Sequence, residues 1–282
     1  MAHVMELFGK ARVVIKDGKV MEVSEPIADW CPIFNKVSNV SRLTREEAKK
    51  NMEYRIRELG MFTPGRRFDY GVFVNFGASE IMMTGLRRKL IDCTVTVCDG
   101  AGTVITDNPE LVQGMGALMS GLIETDPIVE IIAGIELRGG FVLDKEKARI
   151  DQVSGLKKAC KLGYTNIAVS VVSMADAVKL RAIEKENDIE LILIGAHLTG
   201  IEGEEAEDLV SEMDIITGCA SKMVRSLVRP LIQAGTSVPM FALTQKGKEL
   251  IIERAKEIDS PILASTADLP VLPEHKQPRP LR

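Results

Sequence analysis

From Asn166 onward, short apolar runs alternate with longer amphipathic stretches, and this rhythm constrains the fold of the 282-residue chain more than any other feature. The runs NIAVSVV, IELILIG, DIITG, SVPMFAL and PILAS are β-branched and apolar on both faces. Between them lie MADAVKLRAIEKEN, EGEEAEDLVSEM, SKMVRSLVRPLIQAG and QKGKELIIERAKEID, which carry helical spacing. Successive runs start about 24 residues apart, a distance that suits short βα units. Strands that are apolar on both faces must be covered on both. The expected fold is therefore α/β, a mainly parallel sheet with helices on both faces.

The N-terminal part is less regular. ARVVIKDGKVMEV places β-branched residues on either side of Asp17-Gly18, the signature of a two-residue hairpin turn. Thr44 and Glu47 form a capping box, and Ala48, Met52, Ile56 and Leu59 fall on one helical face, so a helix is expected over 45–59. YGVFVNF and DCTVTVC read as strands, with GASEIMMTGLRRKLI as a helix between them. Asn108-Pro109 starts another helix, expected to run to about Ile123. PIVEIIAGIEL and GGFVL read as strands, and 151–162 as a helix. The expected organisation is an N-terminal lobe over 1–150 with its hairpin, a C-terminal βα lobe over 151–267 and a Pro-rich tail over 268–282, extended or disordered.

Composition narrows the classes. A content of 45% hydrophobic residues supports a substantial core. A formal net charge of −4 argues against a nucleic-acid partner, which asks for a basic excess. No apolar run approaches a membrane span, and the N-terminus lacks a signal-peptide pattern, so a cytoplasmic protein with no membrane partner is expected. The five scattered cysteines, Cys31, Cys93, Cys98, Cys160 and Cys219, read as free thiols. A homodimer is the default oligomer.

The richest local motif is VCDGAGTV, residues 97–104. Read as a loop between a strand and a helix, it can present N–H groups of Gly100, Gly102 and Thr103 to an anion. It matches neither G-x-G-x-x-G nor the P-loop. FGASE sets Gly77 and Ser79 at a second helix start, where an anion could also rest. Cys98 is a candidate nucleophile, although Asp99 beside it opposes a thiolate. Cys93 and Cys98 point to opposite faces of one strand and cannot share an ion, and no zinc-type spacing occurs, so no metal site is assigned.

In an open parallel sheet, ligands bind beyond the carboxyl ends of the strands. His197 in IGAHLTG and Cys219 in TGCAS fall there, as an acid–base candidate and a thiol candidate. Arg66 and Arg67 read as a solvated turn. Three functional classes remain. The first is a ligand-binding protein or enzyme acting on a small anion or nucleotide, held by Gly77, Ser79, Gly100, Gly102 and Thr103, with Cys98, His197 or Cys219 reactive. The second is a non-catalytic accessory protein. The third is a thiolate metal or iron–sulfur carrier.

Several long segments, HVMELFGKARVVIKDGKVMEV, WCPIF, RIRELGMFTPGRRF, FGASE and VCDGAGTVITDNPELVQGMGALMSGLIETDPI, resemble the methanogenesis marker protein 8 family. The resemblance covers nearly the whole chain, most clearly residues 3–172. It implies a role in methane-producing archaea linked to methyl-coenzyme M reductase, in its assembly, modification or activation, with a maturation factor or the reductase as partner. It brings no catalytic residues to carry over.

Overall fold

A computed structural model describes residues 2–282; at positions 37 and 38 it describes the backbone alone. The chain opens with β1 (Ala2–Glu6), β2 (Arg12–Lys16) and β3 (Lys19–Val23), the last two joined by the Asp17-Gly18 turn. Then follow α1 (Pro32–Ser38), α2 (Arg45–Leu59), α3 (Ala78–Arg87), β4 (Cys93–Cys98), β5 (Gly102–Thr106), α4 (Pro109–Gly116) and β6 (Gly121–Glu124). Next come α5 (Val129–Leu137), β7 (Phe141–Val142), α6 (Gln152–Lys161), β8 (Asn166–Val171), α7 (Met174–Asn187) and β9 (Glu190–Gly195). The series closes with α8 (Gly203–Glu212), β10 (Ile215–Thr217), α9 (Lys222–Leu227), β11 (Ile232–Ala234), β12 (Met240–Ala242) and α10 (Gln245–Lys256).

These strands build two sheets. The smaller has the order β3-β2-β1-β6 and is antiparallel throughout. The larger has the order β11-β12-β10-β9-β8-β4-β5-β7. Its centre, β4-β8-β9-β10, is parallel, and both flanks are antiparallel. The sheet is thus mixed, and the expected parallel arrangement holds only for its middle. It also takes strands from both sides of residue 150.

Alternation along the central strands explains the two covered faces. Val169, Leu191 and Leu193 pack with Leu156 of α6, Leu180 of α7 and Leu209 of α8. Ala168, Ile192 and Ile194 point the other way, against Ile81 of α3 and Leu250 of α10. The small sheet has its own core, in which Met5, Val13 and Ile15 meet Ala48, Met52 and Leu59 of α2. The cap of α2 forms as its residues suggest, with Thr44 Oγ1 accepting from Glu47 N at 3.2 Å.

Several segments depart from the sequence reading. YGVFVNF forms no strand, because Glu80 Oε1 accepts from the backbone of Phe73 and Val74 at 3.2 and 3.5 Å and takes donors a neighbouring strand would use. PIVEIIAGIEL is helical as α5; Ile131, Ile132 and Ile135 are buried at i, i+1 and i+4, a helical stripe hidden in a continuous apolar run. The helix from Pro109 stops at Gly116, and Gly121–Glu124 joins the small sheet as β6. The stretch 221–235 is not one helix; α9 ends before Pro230, and β11 and β12 follow as an antiparallel pair. PILAS lies exposed without strand partners. The Pro-rich tail carries one 3-10 turn at Glu274–Lys276 and is pinned. Arg279 exchanges backbone hydrogen bonds with Trp30, and Arg282 N donates to Ala220 O at 2.8 Å.

Candidate functional site

The carboxyl ends of the four central strands leave a crevice, as open parallel sheets do. Here the small sheet and the loop before α1 partly roof it, leaving a half-open cavity of about 400 Å³. Thr96 and Val97 come from β4, Ser170 and Val172 from the end of β8, Ala196 and His197 from the end of β9, and Thr217 and Cys219 from the end of β10. The roof contributes apolar groups such as Leu7, Phe34 and Leu122. A mainly apolar chamber with a few polar groups converging from different elements is the usual form of a small-molecule site.

Of VCDGAGTV, Val97 alone reaches this wall. The motif is the tight turn of a hairpin in which β4 and β5 pair antiparallel, with Cys98 opposite Gly102. No helix starts there, so the dipole that would draw an anion is missing. The N–H groups are also committed: Gly100 donates to Thr125 Oγ1 at 2.7 Å and Thr103 to Arg149 O at 3.0 Å. Gly102 has φ +69°, and a Cβ there would lie 2.2 Å from the Ala148 carbonyl oxygen. A glycine at 102 is a packing requirement. Thr103 is buried, its hydroxyl donating to Gln152 Oε1 and accepting from Asp151 N, each at 2.8 Å. Gly100 and Thr103 thus spend their N–H groups on holding the turn, and Gly102 is a packing position within it.

Cys98 is fully buried, and burial, with the Asp99 carboxylate adding to it, pushes its thiol far above the ordinary range. Burial and a raised thiol both work against the thiolate that a nucleophile needs. Asp99 accepts from Phe62 N at 2.6 Å and from Arg66 Nε at 2.9 Å, forming an ion pair whose two side chains are 0% exposed. Arg66 also donates to the carbonyls of Gly114 and Met115 at 3.1 and 3.2 Å. The expected solvated arginine turn is thus half right: Arg67 is exposed beside Asp69, while Arg66 is a structural tie.

The other four candidates do meet at the cavity. Gly77 and Ser79 line it at the start of α3, but the chain's own Glu80 already occupies that helix end. A Cβ on Gly77 would sit 2.3 Å from Glu80 Oε2, and Ser79 Oγ donates to the same oxygen at 3.1 Å. A carboxylate there repels rather than receives an anion. His197 Nε2 lies 2.8 Å from Glu6 Oε2. Burial lowers the imidazole's affinity for a proton, outweighing the opposing pull of Glu6. Glu6 in turn is lowered to about 2, chiefly by its hydrogen bond to His197. Both shifts fit a neutral imidazole donating Nε2–H to an ionised Glu6. Cys219 lies 3.1 Å from Thr217 Oγ1. Cys219 and His197 share the cavity without bonding each other, and each is held by another partner.

Two wall residues escaped the sequence reading. Cys31, from the roof loop, faces the same chamber as Cys219. Arg55, on α2, is 1% exposed and borders the cavity. Its position was legible: 48, 52, 55 and 59 form one i, i+4, i+7, i+11 stripe, with an arginine where an apolar residue would serve packing. Among the described residues, no helix is long and apolar enough to cross a membrane, and no three His, Cys, Asp or Glu side chains group as a metal site.

A family model described as "Uncharacterized protein conserved in archaea (DUF2099)" matches residues 3–256. A Methanocaldococcus jannaschii protein named "Uncharacterized protein MJ0054" is 47% identical over 282 residues, covering 99% of each chain. Neither description carries the methanogenesis marker name.

Proposed function

The chain belongs to the archaeal DUF2099 family, and from that premise we propose that it binds a small organic anion in the strand-end cavity, in the service of methyl-coenzyme M reductase assembly, modification or activation. The observation that carries the binding half is the chamber itself. It is about 400 Å³, walled by apolar side chains, with polar groups brought in from the ends of four different strands. His197 and Cys219 are the wall groups able to move a proton or offer sulfur to whatever is bound. The link to the reductase rests on the resemblance to methanogenesis marker protein 8, strongest over residues 3–172.

A thermal-shift screen with small carboxylates, phosphonates and nucleotides tests the binding half, since a ligand that binds only the folded state raises its stability with concentration. A dose-dependent rise is expected for at least one organic anion, and no rise across the whole set overturns it. Deleting the gene in a methane-producing archaeon tests the other half. Reduced activity of methyl-coenzyme M reductase is expected, and full activity overturns the link.

A further inference from the structure

The cavity wall contains one lysine or arginine among the described residues, Arg55. Its guanidinium is held on two sides. Nε donates to Asn51 Oδ1 at 2.9 Å, and Nη1 donates to the Leu118 carbonyl and, at 3.1 Å, to Ser120 Oγ. No carboxylate lies within ion-pair distance of it among the described residues, which sets it apart from the buried Arg66 with its Asp99. Nη2 makes no hydrogen bond there. It is not sealed off either, because Gln113 Oε1 is the one fully buried side-chain polar atom left without a partner among the described residues. Nη2 thus keeps access to open space, and the open space Arg55 borders is the cavity.

A buried charge with no counter-charge is costly. Burial alone brings this guanidinium down to about 10, still cationic at neutral pH. The carbonyl and hydroxyl partners orient the group without neutralising it. They hold the fork still and leave Nη2 without a hydrogen-bond partner among the described residues.

We infer that Arg55 is the anchor for the anionic head of the cavity's ligand, and that this ligand is an amphipathic monoanion, one compact carboxylate-type head on an apolar body. The inference rests on the cavity-binding reading above and names the ligand class for that same site. One cation matches one negative charge. A polyphosphate is disfavoured because Glu80 and Asp176 also line the wall and His197 is kept neutral by burial. The apolar body follows from the remaining wall, where Leu7, Phe34, Phe76, Met82 and Met240 offer only hydrocarbon and sulfur surface.

Octanoate, octanol and octylamine share a chain and differ in the head, so calorimetric titration of each into the full-length protein separates the terms. Octanoate is expected to bind tighter than octanol by about tenfold or more, the gain typical of a hydrogen bond to a charged group. Octylamine is expected to bind no better than octanol. In Arg55→Gln, octanoate should fall to the octanol level while octanol is unchanged, and Arg55→Lys should recover part of the preference. Equal affinity of octanoate and octanol for the wild-type protein overturns the anchor but leaves the cavity reading standing. Failure of all three to bind overturns both. The wild-type series decides the matter even where Arg55→Gln does not fold.

Discussion

Replacing Asp99 with alanine separates a structural turn from a binding loop at the most conspicuous motif of the chain. Asp99 holds Arg66 at 2.9 Å and the Phe62 N–H at 2.6 Å, with both charged side chains fully buried. Removing the carboxylate leaves an unneutralised buried guanidinium, for which losses of about 3–5 kcal/mol are typical. The carbonyls of Gly114 and Met115 stay with Arg66 and keep the cost inside that range. Folded domains hold only about 5–15 kcal/mol in total, so a loss of ~4 kcal/mol is a large share. At about 2 °C per kcal/mol for a chain of this size, Tm should fall by about 8 °C. Urea denaturation followed by circular dichroism gives the free energy, and Asp99→Asn, which keeps an acceptor for Phe62 N–H, should lose less than Asp99→Ala. The double variant Arg66→Met/Asp99→Leu should be more stable than Asp99→Ala, because it removes the orphaned charge. Octanoate affinity should not move in any of them beyond the effect of unfolding. A stability loss under about 1 kcal/mol, the range of an exposed pair, together with lost binding, would refute this account of the turn.

Three further outcomes follow from the same geometry. Gly102→Ala should destabilise the fold strongly in the same urea assay, because its Cβ would lie 2.2 Å from a backbone carbonyl oxygen at φ +69°; a near-neutral change would mean the hairpin is not built as described. In a thiol titration of the native protein, Cys93 and Cys98, buried and with raised thiol affinities for the proton, should react only on unfolding, whereas the half-buried Cys31, Cys160 and Cys219 should be modified first; early labelling of Cys98, read by peptide mass mapping, would contradict this. The pH dependence has a defined sign: His3 and His197 hold protons less well folded than unfolded, so stability should fall as pH drops below the usual 6.5, while the Glu6 contribution persists until pH falls through 4.5 toward about 2. A shallower fall of melting temperature between pH 7 and 5 in His197→Gln than in the wild type isolates the His197 share and leaves that of His3, whereas equal slopes would contradict it.

Much of the architecture was legible because the βα rhythm after residue 166 is a property of each segment by itself. The strand runs that became β8, β9, β10 and β12, the helix caps at Thr44 and Asn108, and the Asp17-Gly18 turn are local signals that appear in the fold. What stayed hidden depends on partners distant in the chain. Glu80 diverts the 73–74 backbone from a sheet, and no local pattern announces that a carboxylate several residues on will take those donors. PIVEIIAGIEL is apolar on so many sides that strand and helix periods both fit it. The antiparallel pairing of β4 with β5 turned the glycine-rich motif from a helix-facing loop into a hairpin. The site divides the same way. The rule about carboxyl ends of parallel strands pointed to His197 and Cys219 and, with them, to the cavity, because it depends only on strand direction. Arg55 was written in the α2 stripe, but a long charged side chain on a helix is ordinarily read as solvated, and only its 1% exposure in the fold shows that it is not.

The central proposal places a ligand in the strand-end cavity with its charge on Arg55. A crystal structure of the protein with 8-bromooctanoate tests this directly, since bromine marks the tail by its anomalous signal. The expected result is a carboxylate within hydrogen-bond distance of Arg55 Nη2 and a bromine peak among the apolar wall residues near Met82 and Met240. A bromine peak beside the Cys98–Gly102 turn, or a carboxylate seated away from Arg55, would contradict it.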